Sequence, residues 1–169
     1  MRRMMAAVLV LGLAGGIAAT ASPAPITLAQ SATPEAIAGK QTIVLVEHAD
    51  AVTQVDLGPE GVSPGDVMVW GPDALYDAAN TTDTGATTQG SCFALNANFD
   101  CVAQETILWP DGSTLEFQGI ELGGGVPSMR TIVGGSGRYL GAIGTMSAEP
   151  NADLSLWTKT ITLEFRSAG

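Results

Sequence analysis

At 169 residues the chain is long enough for one domain with one hydrophobic core behind an N-terminal leader, which excludes a two-domain enzyme. Seventeen acidic residues against seven basic ones give a formal net charge of −10. That balance excludes nucleic acid as a partner, because phosphate binding depends on Lys and Arg neutralising charge. Two cysteines and a single histidine, His48, are too few for a thiolate zinc site, so neither a metal nor a cofactor is expected.

The chain opens on MRRMM and continues from Ala6 to Ala19 without a charge, in Ala, Val, Leu and Gly. This is the pattern of a secretory signal peptide over residues 1–21, with Ala19-Thr20-Ala21 as the cleavage site and Thr27-Leu28-Ala29 as a later one. The apolar run is shorter than the roughly 20 residues of a spanning helix, so export to the extracellular side is expected, with no stable membrane insertion after cleavage. Residues 22–40, rich in Ala, Pro, Ser and Thr, read as a flexible leader, and residues 41–169 as the folded domain. In an exported chain Cys92 and Cys101 are expected to form a disulfide across a hairpin tip, FALNANFD.

Helical periodicity is almost absent beyond the leader, and eight segments read as strands. They are Thr42 to Glu47, Asp66 to Trp70, Gly85 to Leu95, Cys101 to Trp109, Ser113 to Glu121, Met129 to Val133, Tyr139 to Ala148 and Leu156 to Arg166. Ser63-Pro64-Gly65 and Pro110-Asp111-Gly112 read as turns, and Gly134-Gly135-Ser136-Gly137 as the turn between the sixth and seventh strands. The last strand alternates, with Trp157, Ile161, Leu163 and Phe165 on one face and threonines with Glu164 on the other. Eight short strands at even spacing predict an antiparallel barrel or sandwich, and closure into an eight-stranded barrel leaves no free edge. The interior of such a barrel is either filled by side chains or holds one small ligand.

In order, GDVMVW (Gly65 to Trp70), LYDA (Leu75 to Ala78), TGATTQGSCF (Thr84 to Phe93), ETILW, DGSTLEFQG (Asp111 to Gly119) and IVGGSGRYLGAIG (Ile132 to Gly144) form a series. It resembles the dirigent and allene oxide cyclase barrel-like family from Gly65 to Ala148, and its paired cysteines are most similar to the secreted bacterial branch. The resemblance implies an all-β, eight-stranded antiparallel barrel with an apolar lumen, trimeric in many plant members. Dirigent proteins steer the coupling of phenoxy radicals, and allene oxide cyclases close a fatty-acid epoxide with the help of a glutamate. Two positions depart from the family pattern: Ser136 stands for threonine in the glycine motif, and Ile143 stands where plant dirigent proteins commonly carry arginine.

Candidate site residues follow from chemistry and strand position. Glu47 and Glu105 interrupt apolar strands and share a side with Ile43 and Leu45, and with Ile107 and Trp109; on a lumen face either carboxyl would act as general acid or base, and at a wet strand end it would do nothing. Asp66 is either a third lumen acid or the carboxylate that fixes a turn after Ser-Pro-Gly. Asp73 and Tyr76 would handle a phenolic or enolic ligand or be a solvated acid and a rim tyrosine, and Arg138 would hold a carboxylate ligand or be a surface turn residue. The segment Gly135 to Gly141 lacks the G-x-G-x-x-G spacing and a following helix, which excludes a phosphate site. No G-x-S-x-G elbow is present, so Ser91, Ser113 and Ser136 are not read as nucleophiles. Asn80-Thr81-Thr82 is an N-glycosylation sequon. The chain is expected to bind a small apolar or phenolic molecule in its lumen, guiding a stereoselective coupling or a cyclisation. The alternative is a non-catalytic extracellular binding or envelope protein on the same barrel.

Overall fold

β-branched and aromatic residues at period two, separated by Gly, Pro, Asn and Asp, give the described residues nine strands and one single-turn 3-10 helix, Gly137–Tyr139. The structure, a computed structural model, describes residues 39–165. The expected signal peptide and most of the leader therefore lie outside the described residues. The strands are β1 (Gln41–His48), β2 (Val52–Val55), β3 (Val67–Tyr76), β4 (Asp83–Ala94), β5 (Cys101–Leu108), β6 (Thr114–Glu121), β7 (Ser128–Ser136), β8 (Ala142–Pro150) and β9 (Leu156–Phe165). From β3 to β9 each strand pairs antiparallel with the next, and β9 pairs with β1 along the whole of β1.

The sheet closes because β1 and β2 share one position in it. Val46 and Glu47 of β1 pair with Tyr76 and Leu75 at the end of β3, while β2 pairs with Val67 to Trp70 at its start. The result is a closed eight-stranded antiparallel barrel, as expected, with one position split between two short strands. No helix among the described residues is long and apolar enough to cross a membrane.

Four main departures from the sequence reading appear, one being that β8 begins at Ala142, since Tyr139 belongs to the single-turn helix. β2 is new; all four of its residues are exposed, so no burial alternation marks it. β3 runs on through Gly71-Pro72, because a register shift between Trp70 and Asp73 takes up the residues that read as a break. β7 runs through Gly134 to Ser136, which pair with Glu116, Leu115 and Thr114; Val133 is the extra residue of a bulge. The turn begins instead at Gly137, whose φ is +57° and where a Cβ would lie 2.4 Å from Ser113 Oγ, so glycine is required there.

The lumen is divided in two. At the end formed by the β5–β6 and β7–β8 connections it is filled: Leu75, Ile107, Leu115, Met146, Ile161 and Leu163 are at most 1% exposed. Trp109 and Tyr139, with ring centroids 4.4 Å apart, belong to the same cluster. Toward the opposite end, where β4–β5, β6–β7 and β8–β9 connect, a smaller cluster holds Trp70, Ala103 and the Cys92–Cys101 disulfide, with Met68 and Phe99 against it. Gly90 keeps this end compact, since a Cβ there would lie 2.4 Å from the Trp70 ring.

The disulfide joins β4 to β5 with a Cα–Cα distance of 5.5 Å across nine residues of sequence. In the chain-entropy account so short a loop contributes about 2.5 kcal/mol. The double variant C92A/C101A is expected to unfold at lower urea with a stability loss of about that size, measured by equilibrium denaturation.

Candidate functional site

Where the apolar filling stops, five charged side chains turn inward. Alternation along β1 and β5 carries Glu47 and Glu105 into the lumen, and β6, β7 and β9 add Glu121, Arg130 and Lys159. All five are buried, at 8% exposure or less. Two of the seven basic residues in so acidic a chain are thus committed to its interior. Buried charges require partners, and each of these has one.

Lys159 Nζ lies 2.9 Å from Glu47 Oε2 and also donates to Glu105 Oε1. Glu105 Oε1 accepts a second hydrogen bond from Thr88 Oγ1 at 2.7 Å. Arg130 Nη1 is in ion-pair contact with Glu105 Oε2 without hydrogen-bond alignment, and Arg130 Nη2 donates to Glu121 Oε2. The Trp70 ring stands over the guanidinium, 5.7 Å from its centroid, and Arg130 Nε is fully enclosed. Glu105 is therefore the hub: it faces both cations, while Glu47 and Glu121 terminate the network on either side.

The network forms the floor of a cavity of about 330 Å³ that opens at this end of the barrel. Glu47, Glu121, Arg130 and Lys159 line its base, and Val52, Met68, Trp70, Phe99, Leu122 and Trp157 are among its walls. A small concave apolar space with a few converging polar groups is the usual form of a small-molecule site. Two of the wall loops are clamped together, Asp100 Oδ1 accepting a hydrogen bond from Gly123 N at 2.9 Å.

Three carboxyl groups face two cations, so the cluster is electrically balanced when one carboxyl holds a proton. Burial pushes the Glu121 carboxyl up to about 7; the Lys159 ammonium opposes the rise and the Glu47 carboxylate adds to it. Burial also lowers the Arg130 guanidinium to about 10 and pushes the Lys159 ammonium down, with Glu47 countering in both cases. Glu121 Oε2 accepts from Arg130 Nη2, and the same residue lines the cavity.

The folded value for Glu121 lies above its ordinary value of 4.5. Its contribution to stability is therefore fully present below about 4.5 and is lost as pH rises through about 7, an effect on the order of 3 kcal/mol. Glu121→Gln is expected to remove this decline, so that urea denaturation at about pH 5 and about pH 8 gives a smaller difference in the variant than in the parent.

The other sequence candidates lie elsewhere. Asp66 is fully buried but accepts hydrogen bonds from Leu57 N, Ser63 N and Ser63 Oγ, which hold its carboxyl below the usual range and fasten the loop before β3. Asp73 accepts from Ala51 N at 2.8 Å and fixes the bend between β1 and β2. Tyr76, one residue on from the core residue Leu75, stacks on His48 with ring centroids 4.1 Å apart. Arg138 is at the filled end, paired with Asp111 at 3.1 Å and lying over the Trp109 and Tyr139 rings. None of these four lines the cavity. Glu121, Arg130, Lys159 and Thr88 were not singled out in the sequence, although Lys159 occupies the inward face of the last strand between Trp157 and Ile161.

The architecture defines a small antiparallel barrel with one filled end and one cavity-bearing end. Solved structures with the same barrel include a pyocyanin demethylase (22% identity, TM-score 0.64, covering 73% of this chain and 99% of that one). A nonspecific heme-binding cyclase that catalyses a cycloaddition in neoabyssomicin biosynthesis is 26% identical, with TM-score 0.63 over 78% of this chain and 70% of that one. A pterocarpan synthase dirigent protein matches at 19% identity and TM-score 0.62, over 83% of this chain and 99% of the other. No protein-family model matches the sequence, and no curated protein does. The chain thus has the dirigent and cyclase type of barrel expected from its glycine and strand motifs.

Proposed function

We propose that this protein is an exported barrel that binds a small, mainly apolar molecule in its mouth cavity and assists a cyclisation or a guided coupling there. The observation that carries the reading is the meeting of an apolar cavity with a carboxyl group, Glu121, whose ionisation is centred on about 7. A group titrating near neutrality can both give and take a proton, and the buried ion pairs behind it fix its orientation. The walls hold a flexible molecule in one conformer, which supplies much of what a unimolecular ring closure needs. That structural neighbours include a cyclase and a dirigent protein supports the same class of reaction.

Prodan, a neutral naphthyl ketone, is a suitable probe. Its emission is expected to shift to the blue on binding, with saturation at one site per chain, and Val52→Trp or Leu122→Trp, which fill the mouth, are expected to abolish the shift. Once a substrate is in hand, Glu121→Gln is expected to lose roughly a hundredfold or more in turnover at saturating substrate, the ordinary contribution of a general acid or base. A saturable signal indifferent to both mouth-filling variants would overturn the reading.

A further inference from the structure

We propose that the mouth cavity selects a small apolar cation, an amine or a positively charged nitrogen heterocycle, over its neutral and acidic analogues. The inference rests on the cavity being the binding site, and it names the chemistry that site prefers.

The first argument is charge balance. With Glu47, Glu105 and Glu121 ionised against Arg130 and Lys159, the floor carries one uncompensated negative charge in a poorly hydrated space. A ligand with one positive charge completes the balance, whereas a carboxylate ligand would add a second unpaired negative charge to a site that already has one.

The second argument is that the floor's cations are already occupied. Lys159 is shared between Glu47 and Glu105, and Arg130 between Glu105 and Glu121. Arg130 Nε is sealed from the cavity, beneath the Trp70 ring. No guanidinium edge is presented to a ligand acid in the bidentate form that such recognition uses. Glu121, paired through Oε2 with Arg130, lines the same cavity and is an acceptor when ionised.

The third argument is the walls. Besides Trp70, whose ring already stands over Arg130, Phe99 and Trp157 line the cavity, and the faces of such rings attract cations, most strongly when water is excluded. The field of the whole chain, with its formal charge of −10, favours the approach of a cationic ligand.

A trio of tricyclic probes of similar shape separates charge from fit: 10-methylacridinium, neutral 9-methylanthracene and anthracene-9-carboxylate, titrated against tryptophan fluorescence. The cation is expected to bind at least roughly tenfold tighter than either of the others above neutral pH. Its affinity is expected to rise with pH through about 7, as Glu121 ionises among Arg130 on β7, Lys159 on β9, Glu105 on β5 and Glu47 on β1. In Glu121→Gln the preference is expected to shrink to within about threefold. Equal binding of the three probes by the parent protein, or tightest binding of the acid, would overturn the charge assignment and leave the cavity reading standing. Prodan binding without binding of any tricycle would do the same. Failure of all four probes would remove both.

Discussion

Arg130→Met is expected to cost about 3–5 kcal/mol of stability at neutral pH, the range for breaking a buried ion pair by removing one partner. The reason is specific to this cluster. Without the guanidinium, Glu105 and Glu121 keep their places in the lumen with Lys159 as the remaining cation for three carboxyl groups. The loss is expected to be smaller at about pH 5, where protonation relieves the repulsion, and smaller in R130M/E121Q than in R130M alone, because one of the stranded carboxylates has gone. Urea denaturation of the parent and the two variants at both pH values measures this. An Arg130→Met variant as stable as the parent would mean that the charged layer is hydrated and does not form a closed floor beneath the cavity.

Trp109→Ala is expected to destabilise the barrel by a similar amount, about 3–5 kcal/mol, while leaving the affinity of the mouth for its probe unchanged. Trp109 is 8% exposed, packs on Tyr139, and lies in the cluster that fills the far end of the lumen. Its removal opens a void among Leu, Ile and Met side chains that cannot collapse without moving strands. The filled end thus carries the apolar stability of the barrel, and the charged layer separates it from the cavity. A large loss of prodan affinity in Trp109→Ala, at a temperature where the variant remains folded, would contradict that division.

Most of the strands were legible because one face is more buried than the other. β9 shows this best, with Trp157, Ile161 and Leu163 inward and Thr158, Thr160 and Thr162 outward. The same alternation placed Glu47 and Glu105 beside apolar neighbours, which is why they stood out as candidates. Lys159 was equally legible, two residues from both Trp157 and Ile161, but a lysine in a strand reads as solvent-facing unless a buried acid is known to meet it. Arg130 and Glu121 were harder. Their inward direction follows from barrel closure, which brings β1, β5, β6, β7 and β9 around one lumen through pairings as distant as Gln41 with Leu163. β2 gave no signal, and the Gly71-Pro72 step in β3 hid the second half of that strand, because the bulge that accommodates it depends on its neighbours. The glycine motif identified the barrel but misplaced its turn: Gly134 and Gly135 are ladder residues, and Gly137 is where the chain reverses.

A crystal of the protein soaked with a brominated naphthyl ketone and measured at the bromine edge tests the central claim most directly. The anomalous peak is expected in the cavity between the Trp70 and Trp157 walls, and at about pH 5, where Glu121 is protonated, the ketone oxygen is expected to accept a hydrogen bond from it. A peak confined to the outer face of the sheet, or a cavity that stays empty at saturating probe, would contradict it.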